Sequence, residues 1–487
     1  MPRFEPYRVT VAVLAGLAAV LFAYPVVRIG LDLEIDYNEG WSVYQQLRAM
    51  TGESPYSGEG PLFFNNYPPL SFYLVGLLGR VSGDTLLTGR LLSVLAMAVI
   101  ALCSGVVVRA GGGGRADAIL AVSTCLALFC SFATDYVGVN DPQLLAQGFL
   151  CAGFALYVGG PPTPARLAAV AALFAAGLLT KHNVLVLPLV VTVHVLWRVP
   201  GKARWSYLLT GTTLAGAATA VIWVMFGADF FRQLLSPRIY DVGRGVLLTV
   251  EVLGRLQAPL TLAVLFLILR RNGAVGGQVA AYLAGGLVLG IGFAGGAGVD
   301  VNIFFDAMVA IAIAIGLAAA WLRRQPALPR VAPAILALLA NAGVILFTPE
   351  ALGRFAVDAL GEFELRQRLF RDDVAYLRGI PGPVVCESML LCQRAGKPMW
   401  VDPYNVVQAT LTGRLPRDVL VGALARHEAA VVQISSQREH PRDEAPGVQT
   451  MPQRFINFSD DIFDEIERSY ALDRVGLSGR FYRPRPF

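Results

Sequence analysis

The chain has 487 residues, 15% of them charged, and a mean hydropathy of +0.56, against about 25% charged residues in ordinary soluble domains. This composition excludes a soluble globular enzyme. The formal charge of +5 comes from arginines and lysines flanking apolar runs, so it gives no reason to expect a nucleic-acid partner.

Apolar segments of about 20 residues, the length needed to cross a bilayer, centre near residues 19, 97, 125, 151, 173, 190, 216, 259, 286, 311 and 338. The expected fold is thus an α-helical polytopic membrane protein with about 11 transmembrane helices over residues 1–349, followed by a second domain. Arg3 and Arg8 precede the first span, and basic residues then recur after every second one: Arg109 and Arg115, Arg166, Arg198 with Lys202 and Arg204, Arg270 with Arg271, and Arg323 with Arg324. Because positively charged short loops stay in the cytoplasm, the N-terminus is expected there. The outer side then receives the long loop 31–85, the connections 135–141, 228–245 and 298–306, and the C-terminus. The first span lacks a small-residue cleavage site and reads as an uncleaved signal anchor.

From residue 350 onward charges become frequent and long apolar runs stop. Residues 350–487 are read as a soluble extracytoplasmic α/β domain of roughly 135 residues, enough to bury a core. Strands are expected at Pro383–Cys386, Pro398–Val401 and Ala429–Ile434, and helices at Ser388–Ala395 and Asp418–His427. Gln437–Gly447 reads as a surface loop, and Arg354–Arg371 as an amphipathic linker helix. Cys103, Cys125, Cys130 and Cys151 fall in apolar spans, and no paired spacing points to zinc. Cys386 and Cys392 lie where an oxidising compartment permits a bridge, but the helix expected between them weighs against it. Gly111–Gly114 lacks the residues of a phosphate loop and reads as a flexible turn, whereas Gly292–Gly298 allows a sharp turn or close helix packing.

Polar residues gather on the outer side. Asp36 and Glu39, three apart, share a face if a helix starts there, and Val43, Leu47 and Met50 continue its apolar stripe. A carboxylate in such a cleft, its pKa raised by burial, can take a proton from an acceptor hydroxyl or amine; a solvated loop is the equally simple alternative. Asp135, Asn140 and Asp141 form a second outcrop, Lys181 with His182 and Asn183 a third, and Asn302 with Asp306 a fourth. Ionisable groups at the edge of membrane spans are costly, so they are functional candidates.

In order, Asp36-Tyr37-Asn38-Glu39-Gly40, Tyr67-Pro68-Pro69-Leu70 leading to Gly89-Arg90-Leu91, Asn140-Asp141-Pro142, Leu179-Thr180-Lys181, and Asn302-Ile303-Phe304-Phe305-Asp306 resemble the pattern of the glycosyltransferase C superfamily. Within it, the similarity is to the protein O-mannosyltransferase and aminoarabinose transferase-like group of bacterial membrane proteins. The outer domain, with Glu387, Gly396-Lys397-Pro398 and Asp402-Pro403-Tyr404, is similar to C-terminal domains in that group.

This resemblance implies a bacterial inner-membrane enzyme that transfers a sugar, with inversion, from a polyprenyl-phosphate carrier to a glycan, lipid or protein acceptor on the outer face. It places Asp36 as the base with Glu39 beside it, Lys181 at the leaving phosphate, and His182, Arg238 and Arg244 in support. Tyr67, Asp141, Asn302 and Asp306 complete the expected binding set. Two residues separate the carboxylates of the first loop where the family commonly has an adjacent pair, which leaves the base open between Asp36 and Glu39. No cofactor is required, although Asp36, Asp141 and His182 are possible ligands for a divalent metal. Two other classes compete: a lipid or polysaccharide transporter, which predicts internal repeats that the chain does not display, and a non-catalytic envelope-assembly protein.

Overall fold

The structure is a computed structural model that describes residues 5–57, 62–270, 273–436 and 457–486. Arg3, Arg271 and the expected 437–447 loop lie outside the described residues. The chain opens with α1 (Pro6–Arg28), and the long loop after it folds into α2 (Tyr37–Thr51) and α3 (Leu70–Ser82). The bundle continues through α4 (Thr85–Ala110), α5 (Arg115–Phe132), α6 (Pro142–Val158), α7 (Pro164–Thr180), α8 (Val186–Arg198) and α9 (Gly201–Leu234). It ends with α10 (Val242–Arg270), α11 (Ala274–Phe293), α12 (Phe305–Leu322), α13 (Ala332–Ala340) and α14 (Ala342–Val357).

Every expected span centre falls inside one of these helices, so the chain is a multi-pass membrane protein. Seven of the described helices are long and apolar enough to cross a bilayer alone, and the helices bent by 50° between Ala340 and Ala342 make an eighth. The other three, α6, α7 and α8, have 17, 17 and 13 residues, about 20–25 Å at 1.5 Å per residue against a hydrocarbon core of about 30 Å. Each stops early because a polar turn follows or precedes it: Asp141-Pro142 caps α6, and Lys181-His182-Asn183 separates α7 from α8.

At the centre stands α12, buried along most of its length. Its run of Ala, Ile and Gly lets neighbouring backbones approach closely, the usual basis of helix packing in lipid. Any Cβ at Gly316 would lie 2.9 Å from the Asp117 carbonyl oxygen of α5.

Beyond α14 a turn over Asp358–Glu362, with Gly361 at φ 140°, leads into α15 (Phe363–Arg378). The expected amphipathic linker helix is therefore broken at Gly361, and the boundary expected at residue 350 falls inside α14. The C-terminal unit then runs β1 (Val384–Cys386), α16 (Met389–Arg394), α17 (Pro403–Leu411), α18 (Asp418–Ala425), β2 (Val431–Ile434), α19 (Asp460–Ser469), β3 (Tyr470–Gly476) and β4 (Gly479–Pro484). Its sheet has the order β1-β2-β4-β3, with β1 and β2 parallel and the other pairs antiparallel. Two corrections arise here. Residues 398–401 form no strand, and the β3–β4 hairpin was not expected because its exposed strands alternate charges and lack an apolar run.

Cys386 and Cys392 are bridged, with Cα atoms 6.0 Å apart. Helix α16 begins only at Met389, after Glu387 and Ser388 have turned the chain, so the helix brings the sulfurs together rather than apart. The bridge stiffens the seat of α2. A Cβ at Gly40 would lie 2.1 Å from the Leu390 amide nitrogen. The Leu390 amide donates to the Glu34 carboxylate at 2.9 Å, and the Tyr44 hydroxyl donates to the Lys397 carbonyl at 2.6 Å. Replacing both cysteines by serine is expected to lower stability by about 2 kcal/mol, as closure of so short a loop implies. A thermal unfolding midpoint unmoved by the double substitution would contradict this role.

Candidate active site

Asp36 caps α2, accepting the Asn38 amide at 2.8 Å, and this cap fixes where the helix starts. Burial raises its pKa to about 7 against that bond, with the carboxylates of Asp141, Glu39 and Asp135 adding to the rise. Glu39, in the first turn, points elsewhere. Its carboxylate receives Arg90 Nε at 2.7 Å and Nη2 at 2.6 Å, the Ile35 amide at 2.8 Å and the Asn140 amide at 3.1 Å, and both side chains are wholly buried. Arg90 also donates to the carbonyls of Ile29, Leu31 and Leu33. Gly89 belongs to the same joint, because a Cβ there would lie 2.0 Å from the Asn140 side-chain oxygen. Asn140 itself exchanges two hydrogen bonds with Gln46, at 2.8 and 2.9 Å. The first-loop and Gly89-Arg90 motifs thus build the joint that holds α2 to α4 and α6.

Beside Asp36, its neighbours Tyr37 and Asn38 line a small polar cavity of about 60 Å3 with Trp41, Asn66, Tyr67, Tyr136, Asp141, Lys181, Arg238, Gly298, Asn302, Tyr404 and Asn405. Asp141 caps α6, accepting the Gln143 amide at 2.7 Å, and faces Lys181 Nζ at 3.5 Å. Lys181 is 3% exposed, and its ammonium lies 4.8 Å from the Tyr67 ring centre, a cation–π geometry. Although burial works against its charge, Asp141 and Tyr67 outweigh that effect and leave its pKa raised. Asn302 donates to Gln143 Oε1 at 3.0 Å. Arg238 spans the cavity, donating to Asn66 Oδ1 and Asn405 Oδ1 at 3.1 Å each and to the Ala297 carbonyl at 3.2 Å.

Next to it, α7, α8 and α9 enclose an apolar groove of about 460 Å3, lined among others by Pro68, Phe174, Leu178, His182, Tyr207, Ile222, Phe230 and Phe231. Two pairs of consecutive residues join the compartments: Tyr67 and Lys181 line the polar cavity, while Pro68 and His182 line the groove. Burial, then the charges of Lys181 and Arg238, push the His182 imidazole down to about 4. It is neutral at pH 7, and its Nδ1 has no hydrogen-bond partner.

Of the expected residues, the structure brings together Tyr67, Asp141, Lys181, Arg238 and Asn302 at the cavity, with Asp36 alongside and His182 at the groove. Three fall elsewhere. Glu39 is consumed by Arg90. Arg244 donates to the carbonyls of Ala294, Gly296 and Val299, pinning the glycine-rich turn after α11. Asp306 lies inside the bundle, accepting Gln147 Nε2 at 2.6 Å and the Tyr282 hydroxyl at 2.9 Å. Sequence reasoning missed Tyr404 and Asn405 as cavity residues, although Asp402-Pro403, a strong helix start, stands immediately before them. The Tyr404 hydroxyl is buried without a hydrogen-bond partner. Among the described residues no three His, Cys, Asp or Glu side chains converge as a metal set. His182 lines the groove, whereas Asp141 lines the polar cavity.

No family model and no curated protein sequence matches the chain. Solved structures do. ArnT from Cupriavidus metallidurans in its apo state superposes with a TM-score of 0.60 at 12% identity, covering 95% of this chain and 97% of that one. The same protein bound to undecaprenyl phosphate gives 0.55 at 15% identity, covering 96% and 98%. The oligosaccharyltransferase AglB from Archaeoglobus fulgidus, in complex with an inhibitory peptide and a dolichol-phosphate, gives 0.51 at 11% identity, covering 88% and 69%. With its apolar helices, small C-terminal sheet and this superposition over nearly the whole chain, the protein shares the polytopic fold of ArnT and AglB.

Proposed function

We propose that this chain is an inverting membrane glycosyltransferase that takes a sugar from a polyprenyl-phosphate donor and transfers it to an acceptor on the outer face of the membrane. The observation that carries the reading is the junction at Tyr67-Pro68 and Lys181-His182, where an apolar groove fit for an isoprenoid tail meets a polar cavity with a buried ammonium. We place the tail of a lipid phosphate in the groove, its phosphate at Lys181 and His182 and its sugar toward the polar cavity, which must widen from about 60 Å3 to admit it. Undecaprenyl phosphate bound to a protein of the same fold supports the donor class.

In the transfer, Asp36 takes the proton of the acceptor O–H or N–H while the acceptor atom attacks the anomeric carbon from the face opposite the phosphate. The bond from that carbon to the phosphate oxygen breaks, its electrons remain on the polyprenyl phosphate, and Lys181 stabilises the gathering charge. His182, being neutral, supports as a hydrogen-bonding group and not as a cation. Tyr404 and Asn405 lend the C-terminal unit a part in sugar or acceptor choice.

Substituting Lys181 by Met is expected to weaken undecaprenyl phosphate binding roughly tenfold or more, the loss associated with a charged hydrogen bond. Titration of purified protein with that lipid measures it, with Lys181→Arg as the charge-retaining control. Undiminished affinity in the Met variant, with its fold intact, would remove Lys181 from the donor site. The enzyme reading itself requires that the wild-type protein release free polyprenyl phosphate from a sugar-charged carrier; a transporter or an assembly protein would not.

A further inference from the structure

A second, larger cavity of about 520 Å3 opens between the C-terminal parts of α1 and α5, the middle of α10 and the body of α14. A single turn of chain divides the two: Asp135 lines this cavity and Tyr136 the other. Aliphatic and aromatic side chains of α1 and α14 make one wall, and three arginines, Arg28, Arg255 and Arg354, stand against two carboxylates, Asp135 and Glu350. Arg255 and Arg354 lie on half-exposed ground and pair with Glu251 at 2.6 Å and Glu350 at 3.0 Å. Arg28 differs, being only 5% exposed. Its Nη1 faces Asp135 at 3.9 Å, its Nη2 donates to the carbonyls of Thr134 and Val137, and its Nε has no hydrogen-bond partner.

Three guanidiniums, each with a carboxylate partner that a phosphate could replace, a buried guanidinium nitrogen left unpaired and an adjoining apolar wall fit a phosphodiester with hydrocarbon attached. We propose that this cavity binds the headgroup of an anionic membrane lipid, distinct from the donor groove, with Arg28 meeting the phosphate from inside and Arg255 and Arg354 from the rim. The bound headgroup would lie against the turn that carries Tyr136 into the polar cavity.

Native mass spectrometry of the full chain, with phosphatidylglycerol or phosphatidylcholine supplied at equal amounts, tests this independently of any transfer reaction. The wild type is expected to retain phosphatidylglycerol preferentially. The Arg255→Ala/Arg354→Ala variant is expected to lose that preference, by roughly fivefold for each arginine removed, while Arg255→Lys/Arg354→Lys keeps most of it. Equal retention of the two lipids by the wild type, or undiminished phosphatidylglycerol in the alanine variant, would overturn the proposal. So would displacement of the lipid by millimolar inorganic phosphate, which would make the site one for a free anion. Undecaprenyl phosphate retention in the same variants reports whether the fold survives; should the lysine variant keep that lipid yet lose phosphatidylglycerol as fully as the alanine variant, the charge argument fails.

Discussion

Asp36→Asn is expected to lower sugar transfer roughly a hundred- to ten-thousand-fold, the range for loss of a general base, while leaving undecaprenyl phosphate binding and thermal stability near wild type. The amide keeps the shape of the side chain and an oxygen for the Asn38 amide, so the helix cap survives while the proton acceptor is gone. The pH profile tests the same assignment from another direction. With its pKa raised to about 7, Asp36 is protonated and inactive as a base below that value and ionised above it. Transfer by the wild type should therefore climb as pH rises through about 7 and level off beyond it. The residual activity of Asp36→Asn should lack that limb. Equal rates for variant and wild type, or a wild-type profile flat from pH 5 to 9, would move the base elsewhere, with Asp141 the next carboxylate on the cavity.

Glu39→Gln should fail in a different way. The substitution removes the negative charge from a wholly buried pair and leaves the Arg90 guanidinium uncompensated, a change that costs about 3–5 kcal/mol. The expected result is poor yield or a sharply lowered unfolding midpoint, with activity falling in proportion to folded protein. Arg90→Met should behave alike, since it strands Glu39. Exchanging both for apolar residues should recover part of the lost stability, because two uncharged side chains leave no stranded charge. A Glu39→Gln protein that folds normally and binds donor but cannot transfer would instead restore Glu39 to a role in catalysis. These two carboxylates sit three residues apart in one helical turn, and the contrast between a kinetic defect and a folding defect separates them.

The membrane class and the placement of the helices were legible because apolar runs in lipid have one stable backbone form, with every amide satisfied inside the helix. The expected centres from residue 19 to residue 338 accordingly all fall inside helices. The residues of the polar cavity were legible in part, since Asp141 and Lys181 interrupt or cap apolar runs and such groups are expensive unless they serve a purpose. Asp306, in the first turn of α12, instead accepts from Gln147 and Tyr282, and Arg244, expected only from the resemblance, donates to backbone carbonyls, partners that no local pattern reveals.

What the sequence by itself determined is therefore the architecture and the order of its polar outcrops, both consequences of local hydropathy and helix capping. Only the tertiary structure decided which outcrop faces a cavity. It turned Glu39 toward Arg90 while leaving Asp36 beside Asp141, and it carried Tyr404 and Asn405 from the C-terminal unit to the same cavity as Tyr67. It also closed the Cys386–Cys392 bridge, because Glu387 and Ser388 turn the chain before α16 begins. The physical reason is the same throughout: a side chain's partner at long sequence separation is set by how whole helices pack, and that packing is a property of the assembled bundle, not of any one segment.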